Sequence, residues 1–399
     1  MDLDYIYSNA DRPLKLIVWD LGRRCNYDCT YCTAWMHSTT APFNNFEKYK
    51  KTADFIERYH TIYSSARKGK WDIMLSFTGG EPTLNPAFYQ LIPYLKEKYP
   101  DVKLNLTTNG TWGERKGQFL IDQLDSITVS YHCEGTDKQK ELIRKNLLRV
   151  NDKIPVKVNV MMHVDYFEES VDFIENFLKP NNIKFIPRVI GDDGMYRAEW
   201  FKDADGAMRR TSHIYSEEQL EYLNSHWNKK NKEVNLNSAP VEFKAEDGLA
   251  RKMGRMCCGG RCMTVKQGGE VKDTMFIEQS NFYGYNCMIN WFFLHIEEDR
   301  DAVYHHQTCM AKLPGAPQPN IDITKFQGHS FTDRVGPICT LSEGDTYLDW
   351  LQGQFDDGKT PTMICPRTHC GCGVCIAKAK DPIDFKTVAN KFITLAEIK

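Results

Sequence analysis

The stretch Cys25-Asn-Tyr-Asp-Cys29-Thr-Tyr-Cys32 decides the fold, because this Cx3Cx2C loop directly follows a β-branched run at Leu16–Leu21. Thiolates this close along the chain can converge on one metal centre, and three of them can bind three irons of a [4Fe–4S] cube while the fourth iron stays open. A zinc site completed by a distant ligand, or a group of unligated cysteines, explains the same spacing. The neighbouring motifs distinguish these alternatives.

Residues 16 to about 190 alternate short β-branched runs with amphipathic helical patterns, at a repeat of about thirty residues. This alternation is typical of repeated βα units, in which each helix packs on a parallel sheet. The sequence therefore predicts an α/β fold with a parallel sheet in the form of a partial barrel. The predicted strands are Leu16–Leu21, Asp72–Phe77, Val102–Thr107, Ser126–Tyr131, Val156–Met162 and Ile183–Val189.

Polar motifs fall where these strands end, which is where parallel α/β folds carry their chemistry. The second strand ends in FTGGEP, residues 77–82, and the third ends in TTNG, residues 107–110. The glycines of GGEP allow a ligand to approach the backbone closely, and the carboxylate suits an ammonium partner. A tight turn alone accounts for the same residues when they are taken by themselves.

Together these motifs resemble the radical S-adenosylmethionine (SAM) superfamily, whose hallmark is Cx3CxΦC, with Φ aromatic, after the first strand of a partial (β/α)6 TIM-like barrel. Tyr31 fills the aromatic position, and GGEP matches the family's motif after the second strand. The resemblance implies that Cys25, Cys29 and Cys32 bind a [4Fe–4S] cluster. It also implies a SAM site near the strand ends, formed by Tyr31, Gly79, Gly80, Glu81, Pro82, Asn109, Ser130 and Asn159. For Ser130 and Asn159, an ordinary role as polar residues of the sheet is an equal alternative.

The resemblance also implies a mechanism. SAM chelates the open iron, and an electron from the reduced cluster breaks its sulfur–C5′ bond to give a 5′-deoxyadenosyl radical. That radical removes a hydrogen atom from the substrate, so the cofactor performs the difficult step while the protein orients the reactants and excludes solvent. An electron donor such as flavodoxin or ferredoxin is the implied partner.

A second, dispersed set of cysteines lies in the C-terminal part. Strand-like runs flank the acidic turn at residues 297–301, which predicts a β-hairpin. This region resembles the twitch and SPASM domains of the superfamily, which hold auxiliary [4Fe–4S] clusters. The spacing Cx4CxCx2C at residues 365–375 departs from the usual SPASM pattern, so we expect one auxiliary cluster, with a zinc knuckle as the alternative. Its predicted ligands are Cys287 and Cys309 with two or more of Cys365, Cys370, Cys372 and Cys375.

The chain is predicted to divide into three segments. They are a radical SAM core at residues 1–190, a connecting or capping segment at 191–256, and a cysteine-rich auxiliary-cluster domain at 257–399. The last segment begins with CCGGRC, in which Cys258 and Cys262 are candidate catalytic thiols, as is Cys133 just past the fourth strand. A buried, inert cysteine is the commoner role for each of them.

Composition limits the cellular setting. The chain has 399 residues, 41% hydrophobic and 26% charged, which are ordinary values for a globular protein. Its net charge of −2 gives no basic field to attract nucleic acid, and no run of about 18 apolar residues predicts a membrane span. The 14 cysteines follow no secretion signal, so metal binding in a reducing cytoplasm is expected rather than a disulfide framework.

Three functions are compatible with these features. The first is an enzyme that modifies a ribosomally made peptide, as many SPASM and twitch members do. The second is the same radical chemistry on a small molecule such as a sugar, an amino acid or a natural-product intermediate. The third is a non-catalytic iron–sulfur or zinc-binding protein, which would have no use for the GGEP motif.

Overall fold

A computed structural model describes the protein at residues 5–7, 14–32, 36–66, 72–190, 199–202, 208–211, 215–223, 225–226, 261–265, 271–275, 284–305, 313–321, 337–365 and 378–379. The chain divides into two compact units. The cysteine-loop unit comprises Val18–Lys50 and Met74–Lys232. The second-sheet unit comprises Met1–Ile17, Lys51–Ile73 and Glu233–Lys399.

A run of neighbouring strands, in the order β2-β3-β4-β5-β6-β7, forms the framework of the cysteine loop. The pairs from β3 to β7 are parallel. These strands are β2 (Leu14–Asp20), β3 (Asp72–Thr78), β4 (Lys103–Thr108), β5 (Ser126–His132), β6 (Val156–Met162) and β7 (Lys184–Val189). The predicted parallel α/β sheet is therefore confirmed, with every predicted strand within two residues of its observed bounds.

The strands of this sheet alternate between an apolar and a polar face. On β4, Leu104 and Leu106 are fully buried, whereas Asn105 between them is partly exposed. Asn105 links its neighbours across the polar face, because it accepts from Ser76 Oγ at 3.0 Å and donates to Ser126 Oγ at 2.8 Å. One face thus forms the core, and the other is polar.

Helices connect these strands as the βα pattern predicts. The helix α4 begins with a capping box, in which the Thr136 hydroxyl and the Gln139 side chain each bond the other's backbone N–H. The helices are α1 (Phe46–Ala66), α2 (Phe88–Lys98), α3 (Glu114–Gln123), α4 (Asp137–Asn151) and α5 (Phe167–Asp172), with a π-helical turn at Phe173–Leu178. A short hairpin of β8 (Glu199–Lys202) and β9 (Met208–Thr211) follows.

The second-sheet unit has a sheet of its own with the strand order β11-β10-β1-β16-β12-β15. Its strands are β1 (Tyr5–Tyr7), β10 (Arg261–Val265), β11 (Val271–Met275), β12 (Asn286–Cys287), β15 (Met363–Ile364) and β16 (Lys378–Ala379). The predicted hairpin is confirmed, since β13 (Phe293–Glu297) pairs antiparallel with β14 (Ala302–Tyr304). Helices α6 (Ile289–Phe292) and α7 (Gly344–Asp356) complete the unit.

Aromatic and titratable side chains share the core of this unit. The ammonium group of Lys15 is fully buried and lies 4.1 Å from the ring centroid of Tyr59 and 3.8 Å from that of Tyr63. Tyr63 also packs on Trp291, with centroids 5.2 Å apart. Over the part of the chain that the structure describes, none of the helices combines the length and apolar character that crossing a bilayer requires.

Candidate functional site: the cysteine loop

The cysteine loop, residues 25–32, lies beyond the carboxyl end of β2. Cys25 and Cys29 are buried, with 8% and 6% of their surfaces exposed, and the half-buried Cys32 packs against the same cluster. The Cys25 N–H donates to the Ser38 carbonyl at 3.1 Å, and the Cys32 N–H donates to the Cys29 carbonyl at 3.0 Å. Backbone hydrogen bonds thus gather three thiols in one apolar pocket at the strand end.

The GGEP turn joins residues 22–24, which lead directly into this loop, to the end of β3. The Gly80 N–H donates to the Gly22 carbonyl, and the Glu81 N–H donates to the Arg24 carbonyl, both at 2.8 Å. A Cβ atom on Gly80 would lie 2.4 Å from the Arg23 and Arg24 carbonyl oxygens. Gly79 has a φ of +127°, which side chains of L residues rarely adopt. The glycines are therefore required where the two strand ends meet, whether or not a ligand is present.

The Glu81 side chain connects the ends of β3 and β4. Its carboxylate accepts from the Thr83 hydroxyl at 2.6 Å, from the Thr108 hydroxyl at 2.8 Å and from the Asn109 N–H at 2.6 Å. Glu81 is 2% exposed, and burial raises the pKa of its carboxyl while these donors lower it. Its predicted contact with the SAM amino group stays a prediction.

Asn109, at the end of β4, holds the cysteine loop through its amide. Its Nδ2 donates to Asn26 Oδ1 at 2.8 Å, and Asn26 Nδ2 donates to Thr111 Oγ1 at 3.0 Å. The Thr111 hydroxyl closes the ring by donating to Asn109 Oδ1 at 2.6 Å. Since Asn26 directly follows Cys25, this ring fixes the first cysteine relative to β4.

Burial disfavours the charged form of the three thiols, a penalty that a bound cation would offset. Burial, with mutual repulsion of the thiolates as a further cause, raises the pKa of Cys29 and of Cys32 to about 12, and burial raises that of Cys25. Thiolates are the ligands that iron needs, and a bound metal stabilises that deprotonated form. The donor set therefore fits the [4Fe–4S] cluster that the resemblance implies.

Two further observations bear on this fit. In the ranges that the structure describes, no three side chains of His, Cys, Asp or Glu converge on the position of a single metal ion. A cubane cluster has a different requirement, because each thiolate binds its own iron. Within the same ranges, the buried hydroxyl of Tyr27, between Cys25 and Cys29, has no hydrogen-bond partner. A buried orphaned hydroxyl is typical of a site that receives a ligand or water.

Two ring side chains, Tyr31 and His132, contact each other beside the loop. Tyr31, the predicted SAM contact, forms a hydrogen bond through its hydroxyl with Nδ1 of His132 at the end of β5. Burial lowers the pKa of His132 to about 4, so its ring is neutral at pH 7. The Tyr31 ring is therefore oriented by a neutral imidazole.

Ser130 and Asn159, the weaker SAM candidates, are brought together on the sheet. They lie directly opposite each other in the parallel register of β5 and β6, and so on one face. Asn159 Oδ1 accepts from Arg188 Nε at 3.2 Å. Cys133 is fully buried, and its thiol lies 3.7 Å from the Met161 carbonyl, as in a packing cysteine. The SAM contacts of Ser130 and Asn159 and the catalytic role of Cys133 stay predictions.

The structure places two of the predicted auxiliary-cluster ligands on one pair of neighbouring strands. Cys287 pairs with Met363 across β12 and β15, and the Cys365 N–H, one residue beyond β15, donates to the Tyr285 carbonyl at 2.8 Å. Cys365 therefore lies two register positions from the partner of Cys287, and their shared role as ligands stays a prediction. Cys262 lies on β10 opposite Thr274. Outside the described residues lie Cys258, Cys309, Cys370, Cys372 and Cys375.

Sequence reasoning missed several residues that hold the loop. Asn26, Thr108 and Thr111 act through hydrogen bonds to residues far along the chain, as does Glu134, which accepts from Thr30. The TTNG motif was a usable signal for Thr108, but only Asn109 was selected from it. Nothing in the local sequence indicates Glu134, because its partner lies in the loop after a different strand.

Comparisons with known proteins show what this chain is similar to. A family model described as the radical SAM superfamily matches residues 19–179. The GTP 3′,8-cyclase of Aquifex aeolicus is 28% identical over 186 residues, which are 44% of this chain and 56% of that protein. The Fe-coproporphyrin III synthase of Methanosarcina barkeri is 26% identical over 135 residues, 34% of this chain and 30% of that protein. The chain thus spans about half, or less, of the length of these relatives.

Solved structures that the chain matches include anSMEcpe with bound AdoMet, with a TM-score of 0.41 and 16% identity. That match covers 73% of this chain and 74% of the other. SuiB of Streptococcus suis bound to S-adenosylmethionine matches with a TM-score of 0.36 and 14% identity, over 56% of this chain and 46% of the other.

Proposed function

We propose that this chain, whose residues 19–179 match the radical SAM family model, is an enzyme that cleaves SAM reductively to begin chemistry on a C–H bond of its substrate. The carrying observation is the buried Cx3Cx2C loop joined by backbone hydrogen bonds to the GGEP turn. When bound, the cluster and SAM supply a 5′-deoxyadenosyl radical that abstracts a hydrogen atom. The match to the radical SAM family model argues against a non-catalytic iron–sulfur or zinc-binding protein.

The residues of this chain have the task of holding both groups in one geometry. Cys25, Cys29 and Cys32 are the proposed ligands of three irons. Gly80 and Glu81 fix the loop to β3 through their N–H groups, and the Asn109 amide fixes it to β4 through Asn26. Orientation of this kind accounts for a large part of enzymatic rate enhancement, because the reacting groups no longer have to meet by diffusion.

A peptide is the first proposed substrate. Its support is the cysteine-rich C-terminal part, which resembles the twitch and SPASM domains of peptide-modifying members. Cys287 and Cys365 on neighbouring strands are consistent with one auxiliary [4Fe–4S] cluster in that part. The other proposed ligands are Cys309 and one or more of Cys370, Cys372 and Cys375.

A small molecule is the second proposed substrate. Its support is the set of relatives named GTP 3′,8-cyclase, whose name indicates a nucleotide substrate for those proteins. The polar face of the sheet, with Ser76, Asn105 and Ser126 joined by hydrogen bonds, suits a polar substrate of either kind. Both substrates require a one-electron donor such as flavodoxin or ferredoxin.

The test is anaerobic reconstitution of the full chain with iron and sulfide, followed by addition of SAM and dithionite. We expect iron at four or more atoms per chain, as one cube requires, and formation of 5′-deoxyadenosine. Zinc in place of iron, or full iron content without 5′-deoxyadenosine, would overturn the proposal. Candidate substrates are then separated with deuterated peptides and deuterated nucleotides, because only the true substrate transfers deuterium to 5′-deoxyadenosine.

A further inference from the structure

Glu134, two residues beyond the end of β5, binds the segment between the second and third cysteines. The Thr30 N–H donates to Glu134 Oε2 at 3.0 Å, and the Thr30 hydroxyl donates to Oε1 at 2.6 Å. Both carboxylate oxygens therefore accept from one residue, and that residue directly follows Cys29. An ionised carboxylate is the form that accepts at both oxygens.

His163, at the end of β6, fixes the direction of these hydrogen bonds. The Asp165 N–H donates to His163 Nδ1 at 3.2 Å, so a neutral ring carries its proton on Nε2. His163 Nε2 lies 3.4 Å from Thr30 Oγ1 and donates to it. The Thr30 hydroxyl proton is then committed to Glu134. The donors of Asp165, His163 and Thr30 thus form a chain that ends at the Glu134 carboxylate. The negative charge of that carboxylate therefore lies beside the loop.

This charge lies beside the second cysteine. Both hydrogen bonds of the Glu134 carboxylate end on Thr30, the residue that directly follows Cys29. A negative charge in this place opposes an added electron on a cluster bound to Cys29. The Thr30 N–H, being bonded to Glu134, is withdrawn from donation to a cluster sulfur, and such donation would favour the reduced state.

We propose that Glu134 is a positioning residue that holds the loop through Thr30 and makes its iron–sulfur cluster more strongly reducing. The proposal rests on the proposed function, since SAM cleavage is what a strongly reducing cluster serves. Glu134 touches neither a cysteine nor the predicted SAM residues among its described hydrogen bonds, so it acts through Thr30 and through charge.

The experiment compares variants of the full chain by redox titration of the cluster, followed by electron paramagnetic resonance (EPR) at matched iron content. Glu134→Gln removes the charge, and we expect the midpoint potential to rise by about 59 mV, a tenfold change in the one-electron equilibrium. Glu134→Asp keeps the charge, and its midpoint potential should stay near that of the wild type. Thr30→Val removes a donor but leaves the charge, so the midpoint should fall. Glu141→Gln, the same charge change at an exposed position of α4, should leave the midpoint unchanged.

An unshifted midpoint in Glu134→Gln with full iron content would overturn the inference while leaving the proposed function intact. Equal shifts in Glu134→Asp and Glu134→Gln would also overturn it, because geometry rather than charge would then be the cause. If Glu134→Gln binds no cluster, Thr30→Val supplies the test. The inference predicts that the midpoint potential of Thr30→Val falls, and a rise counts against the inference. Wild-type protein that holds iron without cleaving SAM overturns the proposed function instead.

Discussion

The cysteine loop and the C-terminal cysteines differ in how far their positions follow from the chain itself. Cys25, Cys29 and Cys32 are separated by a few residues, and one loop packs all three into a single cluster of buried side chains. Cys287 and Cys365 are 78 positions apart by residue number and become neighbours only through the pairing of β12 with β15. A contiguous motif thus carries its own geometry, whereas a dispersed set depends on strand pairing.

The two regions also differ in what holds them. Around the loop, the ends of β3, β4 and β5 each contribute a bond, through Gly80, Asn109 and Glu134 respectively. Around Cys287, the described contacts include the backbone ladders of β12 with β15 and β16. We therefore expect point changes to affect the cluster of the loop and that of the C-terminal part independently.

The largest expected effect comes from removing one cysteine ligand from each of the two groups. Cys29→Ala should reduce 5′-deoxyadenosine to the level of a protein-free control, because the cube loses one of three thiolates. Cys372→Ala should lower the iron content and leave measurable, uncoupled SAM cleavage. The measurement is iron and 5′-deoxyadenosine per chain, side by side. Complete and equal loss in both variants would contradict separate roles for the two cysteine groups.

A smaller effect concerns the junction between the loop and GGEP. Gly80→Ala places a Cβ 2.4 Å from the carbonyl oxygens of Arg23 and Arg24, just before the loop, and we expect a loss of roughly 1–3 kcal/mol in unfolding free energy together with reduced iron content. Gly353→Ala is the matched control, since nothing lies within 4 Å of a Cβ there, and in a helix it should add about 0.5–1 kcal/mol. Urea denaturation of the apoprotein is the measurement that checks both expected values. Equal effects of the two changes would refute the steric account.

The last prediction concerns the pH dependence of stability, through a buried histidine in the polar core of the second-sheet unit. Burial lowers the pKa of His305 from 6.5 to about 3, so the unfolded chain binds a proton at a higher pH than the folded chain. The stability that this histidine contributes is present above pH 6.5 and is lost as the pH falls from 6.5 toward 3. Between pH 7.5 and 4.5, wild type should lose about 1–3 kcal/mol more than His305→Phe in urea denaturation. Identical losses would show that His305 is protonated in the folded protein.

Features encoded by neighbouring residues could be predicted from the sequence, whereas contacts between distant residues could not. The strands, the GGEP turn and the cysteine loop were predicted correctly because hydrophobic periodicity and short motifs are local. The partners of those motifs were not, since Glu81 meets Thr108 and Thr30 meets Glu134 only after the strands are aligned. The sequence alone indicates room for a ligand at the glycines of GGEP, whereas the structure places both glycines against the backbone of residues 22–24.

The most direct test of the central claim is the EPR spectrum of the reduced, iron-loaded protein before and after addition of SAM. If three thiols of the loop leave one iron open, the signal of one cluster changes on SAM addition, and that change persists in Cys372→Ala but is absent in Cys29→Ala. A spectrum that SAM leaves unaltered in the wild-type protein would contradict the account.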